Sequence, residues 1–107
     1  MTMREKLNGM ADMADKNDRD WHKPFDRQGI MAWYLGGHME CSPVQASGLM
    51  ACAPYSLNVQ AKYLRDRGAD RMGGVHFRFS GNRLRLNVID LMERCGWERN
   101  DLKRLMN

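Results

Sequence analysis

Residues 56–88 read SLNVQAKYLRDRGADRMGGVHFRFSGNRLRLNV, and this stretch decides how the rest of the chain is read. Its first part has helical spacing. At 100° per residue Leu57, Ala61 and Leu64 fall on one side, whereas Tyr55, Asn58, Val59 and Lys62 fall opposite them with Asp66 at the end of that strip. Gly68 stands where a helix commonly ends. The second part alternates instead. Val75, Phe77 and Phe79 point one way and His76 and Arg78 the other. Beyond Ser80-Gly81-Asn82, Leu84, Leu86 and Val88 point inward and Arg83, Arg85 and Asn87 outward. A helix running into an amphipathic hairpin is the expected structure, with Gly81-Asn82 supplying the positive-φ positions of the loop.

Working toward the C-terminus, Val88, Leu91, Met92 and Cys95 form an apolar helical stripe closed by Gly96, and Leu102, Leu105 and Met106 suggest one further turn. Working back from residue 56, Pro54 breaks the chain, so the helix is expected to open at Tyr55 or Ser56. Ser42 followed by Pro43 is a strong helix start, and the short helix it opens, PVQASGLMA, has Ala46 and Gly48 small enough for the close approach of another helix. GIMAWYLGG predicts an earlier helix with Ile30, Trp33 and Tyr34 inward. Before it lies the charged DKNDRDWHKPFDRQG, read as a linker that Trp21 and Phe25 pin to the body. Met3, Leu7, Met10 and Ala14 give a weak amphipathic helix at the N-terminus. The organisation expected is thus an N-terminal helix and linker over 1–27 and one domain over 28–107.

With 107 residues the chain builds one domain whose core needs no disulfide or metal. No uncharged run is long enough to span a bilayer, and no basic segment followed by an apolar one precedes the domain, so a cytoplasmic, non-membrane protein is expected. Three cysteines fit reduced thiols. His38-x-x-Cys41 with Cys52 supplies only one tight ligand pair, and Asp18, Asp20 and His22 have no second cluster to support them. No metal and no cofactor are expected. The chain shows no nucleophile–base arrangement, phosphate-cradling loop or carboxylate pair, so no enzyme activity is expected.

The net charge of +4 is unevenly placed. Residues 1–59 hold 6 Lys/Arg and 7 Asp/Glu, for −1; residues 60–107 hold 11 and 6, for +5. Between Lys62 and Arg85 there are 7 basic residues against Asp66 and Asp70, whereas residues 28–61 contain no Lys or Arg. Such a concentration is a phosphate-binding footprint; a solvated face would mix the signs more evenly.

The order helix, short helix, turn, helix, two-stranded hairpin, helix resembles the winged helix-turn-helix superfamily. Ser42-Pro43-Val44-Gln45, SLNVQAKYLRDRG with its Leu64-x-x-x-Gly68 step, and the hairpin 75–88 carry the resemblance. It departs from the usual pattern at the short turn, Met50-Ala51-Cys52-Ala53-Pro54, and in the lack of basic residues early in the third helix. It implies an α+β, mostly helical fold: a three-helix core, a two-stranded wing and a C-terminal helix. It further implies that helix 55–67 enters the major groove of double-stranded DNA, with Asn58 on a base edge and Tyr55, Ser56 and Val59 beside it. Lys62, Arg65, Arg67 and Arg71 would then approach phosphates, and Arg78, Arg83 and Arg85 would serve as the wing's contacts. A sequence-specific transcriptional regulator, dimeric on a symmetric site, is the reading it favours.

The rival is a protein-binding module. Small size and ten methionines look like a phage or mobile-element protein, and the stretch free of basic residues suits a surface that inhibits a host polymerase, nuclease or defence complex. RNA binding is weaker, because parity turns Phe77 and Phe79 inward. On the bland side, Asn58 and Lys62 read equally as solvated helix residues, the hairpin arginines as edge protection, and His76 as solvent-exposed and without a role.

Overall fold

The structure, a computed structural model, describes residues 20–106. The expected helix carrying Met3, Leu7 and Met10, and Asp18 of the rejected metal cluster, lie outside the described residues. A single 3-10 turn, Asp20–His22, leads into α1 (Arg27–Leu35), β1 (Glu40–Cys41), α2 (Pro43–Met50), α3 (Pro54–Asp66), β2 (Arg71–Met72), β3 (Val75–Ser80), β4 (Arg83–Asn87), α4 (Val88–Arg94) and α5 (Arg99–Leu105). Among the described residues this is an α+β fold of five α-helices and one antiparallel sheet of order β1-β4-β3-β2.

The helix boundaries follow from local chemistry. Asp26 caps α1 by accepting from the Gly29 amide at 2.6 Å. At α2, Ser42 Oγ accepts from the Gln45 amide at 3.1 Å while the Ser42 amide donates to Gln45 Oε1 at 2.9 Å, a reciprocal capping box with Pro43 at the first position. Ala51 then takes φ 52°, the left-handed conformation that a glycine would adopt more easily, and Ala51-Cys52-Ala53 form a three-residue turn into α3. Pro54 does not break the chain as expected. It opens α3, because a first-turn residue has no helical partner for its amide and proline has none to lose. At the far end Gly68 (φ 80°) sends its amide to the Arg65 carbonyl and Ala69 sends its own to that of Leu64, the paired bonds of a Schellman ending.

The hairpin has the expected parity, with Phe77 opposite Leu86, Arg78 opposite Arg85 and Phe79 opposite Leu84. Its loop needs one positive φ rather than two: Gly81 supplies it at 63° and Asn82 is not in that region. The ribbon is also wider than two strands. Glu40–Cys41 pairs with the outer side of β4, and Arg71–Met72 folds back on β3 through Gly73-Gly74. Asn87 ends β4 by capping α4, its side chain accepting from the Asp90 amide at 2.9 Å.

The core lies between the helices and the inward face of the sheet. Ile30, Leu57, Ala61, Val75, Leu86, Val88, Leu91, Met92 and Leu102 are fully buried there. Trp21 and Phe25 are buried as anticipated, and the Phe25 amide donates to the Gln45 carbonyl at 2.9 Å, tying the segment before α1 to α2. Tyr34 reaches across to donate its hydroxyl to the Leu102 carbonyl at 2.5 Å, fixing α1 to α5. Leu105 and Met106 stay exposed at the end of α5. No helix of the described residues is long and apolar enough to cross a membrane.

Candidate nucleic-acid interface

Helix α3 turns Leu57 and Ala61 inward, which forces Tyr55, Val59 and Tyr63, at steps of four, onto the outer surface. They are 79%, 49% and 56% exposed. With Ser56 and Gln60 they line a shallow concavity of about 400 Å³. Lys62 is exposed on the same helix and makes no ion pair among the described residues.

A second concavity, about 230 Å³, lies where α3 meets the hairpin. Asn58 contributes from α3, Arg83 and Arg85 from β4, and His22 from the 3-10 turn. Ser42 and Pro54, at the N-terminal ends of α2 and α3, add two positive helix poles to its wall. The Arg85 guanidinium stacks over Trp21 at 4.2 Å and donates from Nη1 to the Leu84 carbonyl at 3.2 Å, so its direction is set. Arg83, at the hairpin tip, has no ion pair or hydrogen bond to its side chain among the described residues. Asn58 donates one Nδ2 hydrogen to the Pro54 carbonyl at 3.0 Å, which leaves Oδ1 and the second Nδ2 hydrogen open.

The remaining basic residues divide by what holds them. Arg65 lies over the Phe79 ring at 4.6 Å and 3.4 Å from Asp66, and Arg67 lies over Tyr63 at 4.2 Å. Both keep their charge at the surface. Arg78 is engaged differently: Nε and Nη2 hold Glu40 at 2.6 and 2.7 Å, a bidentate pair across β4. The hydrogen bonds and charge of Glu40 raise the Arg78 pKa, and the pair leaves little net charge on that part of the sheet. Arg71 donates to His76 Nε2 at 3.0 Å. The structure thus brings Asn58, Arg83 and Arg85 to one cleft and Tyr55, Ser56, Val59 and Lys62 to the adjoining helix face. Arg71 and Arg78 are bound to their own chain on the outward side of the sheet.

His76 is not the solvent-exposed residue without a role that the sequence suggested. Its Nδ1 lies 2.6 Å from Asp90 Oδ2, and its backbone amide donates to the same oxygen at 2.9 Å. Asp90 is buried, and its other oxygen accepts from Arg99, whose Nε holds Glu93 at 3.0 Å. This cluster latches β3 to α4 and α5. Residues fourteen apart supply no periodic signal that could have found it.

Burial raises the Asp90 carboxyl, but the hydrogen bonds from His76 and Arg99 more than offset it and hold its pKa below the ordinary aspartate value. A carboxyl depressed on folding contributes stability above its unfolded pKa of about 3.9 and loses that contribution as pH falls through the lower folded value. Wild-type protein is therefore expected to lose stability below about pH 4 more steeply than Asp90→Asn, as read from urea midpoints between about pH 2 and pH 6. Parallel acid limbs would contradict the latch.

The thiol of Cys41 is fully buried and its pKa is pushed up to about 12, first by that burial. His38 stacks on Trp33 with ring centroids 3.9 Å apart. Among the described residues no three His, Cys, Asp or Glu side chains are grouped to hold a metal ion. Comparison with protein-family models, with curated proteins and with solved structures finds no match for this chain.

Proposed function

We propose that the protein binds double-stranded DNA as a winged helix-turn-helix, with α3 in the major groove and the β3–β4 hairpin as the wing, and that it acts as a small sequence-specific regulator. The observation that carries this reading is the cleft shared by Asn58 of α3 and by Arg83 and Arg85 of the hairpin. A groove-reading helix and a cationic tip must face the same duplex, and a common wall is the arrangement that permits it. The three-residue turn between α2 and α3, closed by a left-handed Ala51, supports the helix-turn-helix part. Leu105 and Met106 at the end of α5 offer a contact for a homodimer.

The exposed row Tyr55, Val59 and Tyr63 favours one alternative, a phage-like module that inhibits a host protein complex. A fluorescence-anisotropy titration of a labelled random-sequence 20-base-pair duplex separates the two. Binding with a Kd of about 1–100 µM near physiological salt is expected for sequence-independent contact. Replacing Arg78 and Glu40 together by alanine should change that affinity less than about twofold, since the pair carries little net charge. Absence of duplex binding even at low salt would count for the protein-binding alternative.

A further inference from the structure

We infer that α3 reads thymine: its apolar row packs against thymine C5-methyl groups, so the target is rich in A·T pairs on the face that the helix enters. This rests on the DNA-binding reading and narrows it to a substrate class. From Pro54 to Ala61 the helix carries no Lys or Arg. Guanine is read in the major groove chiefly by bidentate Arg or Lys, and here the first cation, Lys62, comes only after two turns. Asn58, of the type that reads adenine, is half-buried and spends one of its two Nδ2 hydrogens on the Pro54 carbonyl, so any base it reaches would itself belong to an A·T pair. What the helix presents instead is Tyr55, Val59 and Tyr63, with Ser56 and Gln60 between them.

The apolar feature of the major groove is the thymine methyl, and a glutamine amide can hold the N6 and N7 of an adenine. Val59 and the tyrosines meet the first, and Gln60 is placed to meet the second. The occupant of this face is argued from charge. Lys62 on α3 and Arg67 at its C-terminal cap flank the row, Arg83 and Arg85 stand across the adjoining cleft, and Asp66 is the lone acid of the helix. A cationic frame around an apolar strip suits a polyanion that displays methyl groups, which a duplex does.

The test begins with a pool of 30-base-pair duplexes with a random centre, enriched on the full chain. The best-bound duplex is then made twice, with thymidine and with deoxyuridine in its place. The second form loses every C5 methyl and keeps its phosphates and base-pair hydrogen bonds. Binding is expected to weaken about fourfold for each contacted methyl, the equivalent of leaving one such group unburied, hence about 15- to 60-fold for two or three. Val59→Ala, at an exposed position, should narrow the ratio between the two forms. Equal affinity for both forms, or an enriched site without A·T pairs, overturns thymine reading while leaving DNA binding in place. Failure to enrich any duplex at low salt overturns the DNA-binding reading itself, and this inference with it.

Discussion

Replacing Arg83 and Arg85 together by alanine is expected to weaken binding to a random duplex about a hundredfold near 0.1 M salt and to flatten the log–log salt dependence by about two. Each phosphate contact releases close to one counterion, and near 0.1 M salt that release is equivalent to about a tenfold change in affinity. The two residues contribute by different routes. Arg83 projects from the first position of β4 with no side-chain partner among the described residues, so its loss should leave the melting temperature unchanged. Arg85 is held over Trp21, and removing it also gives up a cation–π contact of about 0.5–1 kcal/mol. Single variants read by both anisotropy and thermal melting separate these effects. A double variant with wild-type affinity would remove the hairpin from the interface.

The largest structural effect is expected at Gly48. Inside a helix, alanine is normally better than glycine by about 1 kcal/mol, so propensity alone ranks Gly48→Ala as stabilising. Here a Cβ would overlap the Phe25 carbonyl oxygen and stand 2.8 Å from the Phe25 nitrogen and 3.1 Å from Pro24. The segment it meets is held at two points. Phe25 is buried at one side, and its amide is bonded to Gln45 at the other. Forcing them apart costs about 1–3 kcal/mol for overpacking and about 1 kcal/mol for the hydrogen bond. After the helical gain, a net loss of about 2 kcal/mol remains, which lowers the melting temperature by about 8–16 °C in a domain of this size. A variant that melts at or above the wild-type temperature would show that the Phe25 segment does not sit on α2.

Gly48 illustrates where sequence reasoning reaches its limit. Its smallness pointed to a close approach, but the partner is an irregular segment more than twenty residues upstream and not another helix. Features with a local cause were legible: the helix start at Ser42-Pro43, the burial of Leu57 and Ala61, the alternation from Val75 to Leu86, and the turn at Gly68. The two-residue strands at Glu40 and Arg71 were not, because two residues cannot show a period. Pro54 was misjudged because proline signals both an ending and a beginning. For the site, parity identified which arginines face outward and could say nothing of what neutralises them. Glu40 reaching Arg78 and Asp90 reaching His76 are pairings across the fold, invisible in any window of the chain.

The salt dependence of duplex affinity reports on the cationic surface itself. Lys62, Arg65, Arg67, Arg83 and Arg85 remain as surface cations near α3 and the hairpin tip, whereas Arg71 and Arg78 are engaged elsewhere. Five phosphate contacts correspond to a slope of about −4 to −5 in log affinity against log salt. A plot between roughly 50 and 300 mM salt that gives this slope is the predicted result. An affinity that does not respond to salt, or no affinity for duplex at the lowest salt, would contradict it.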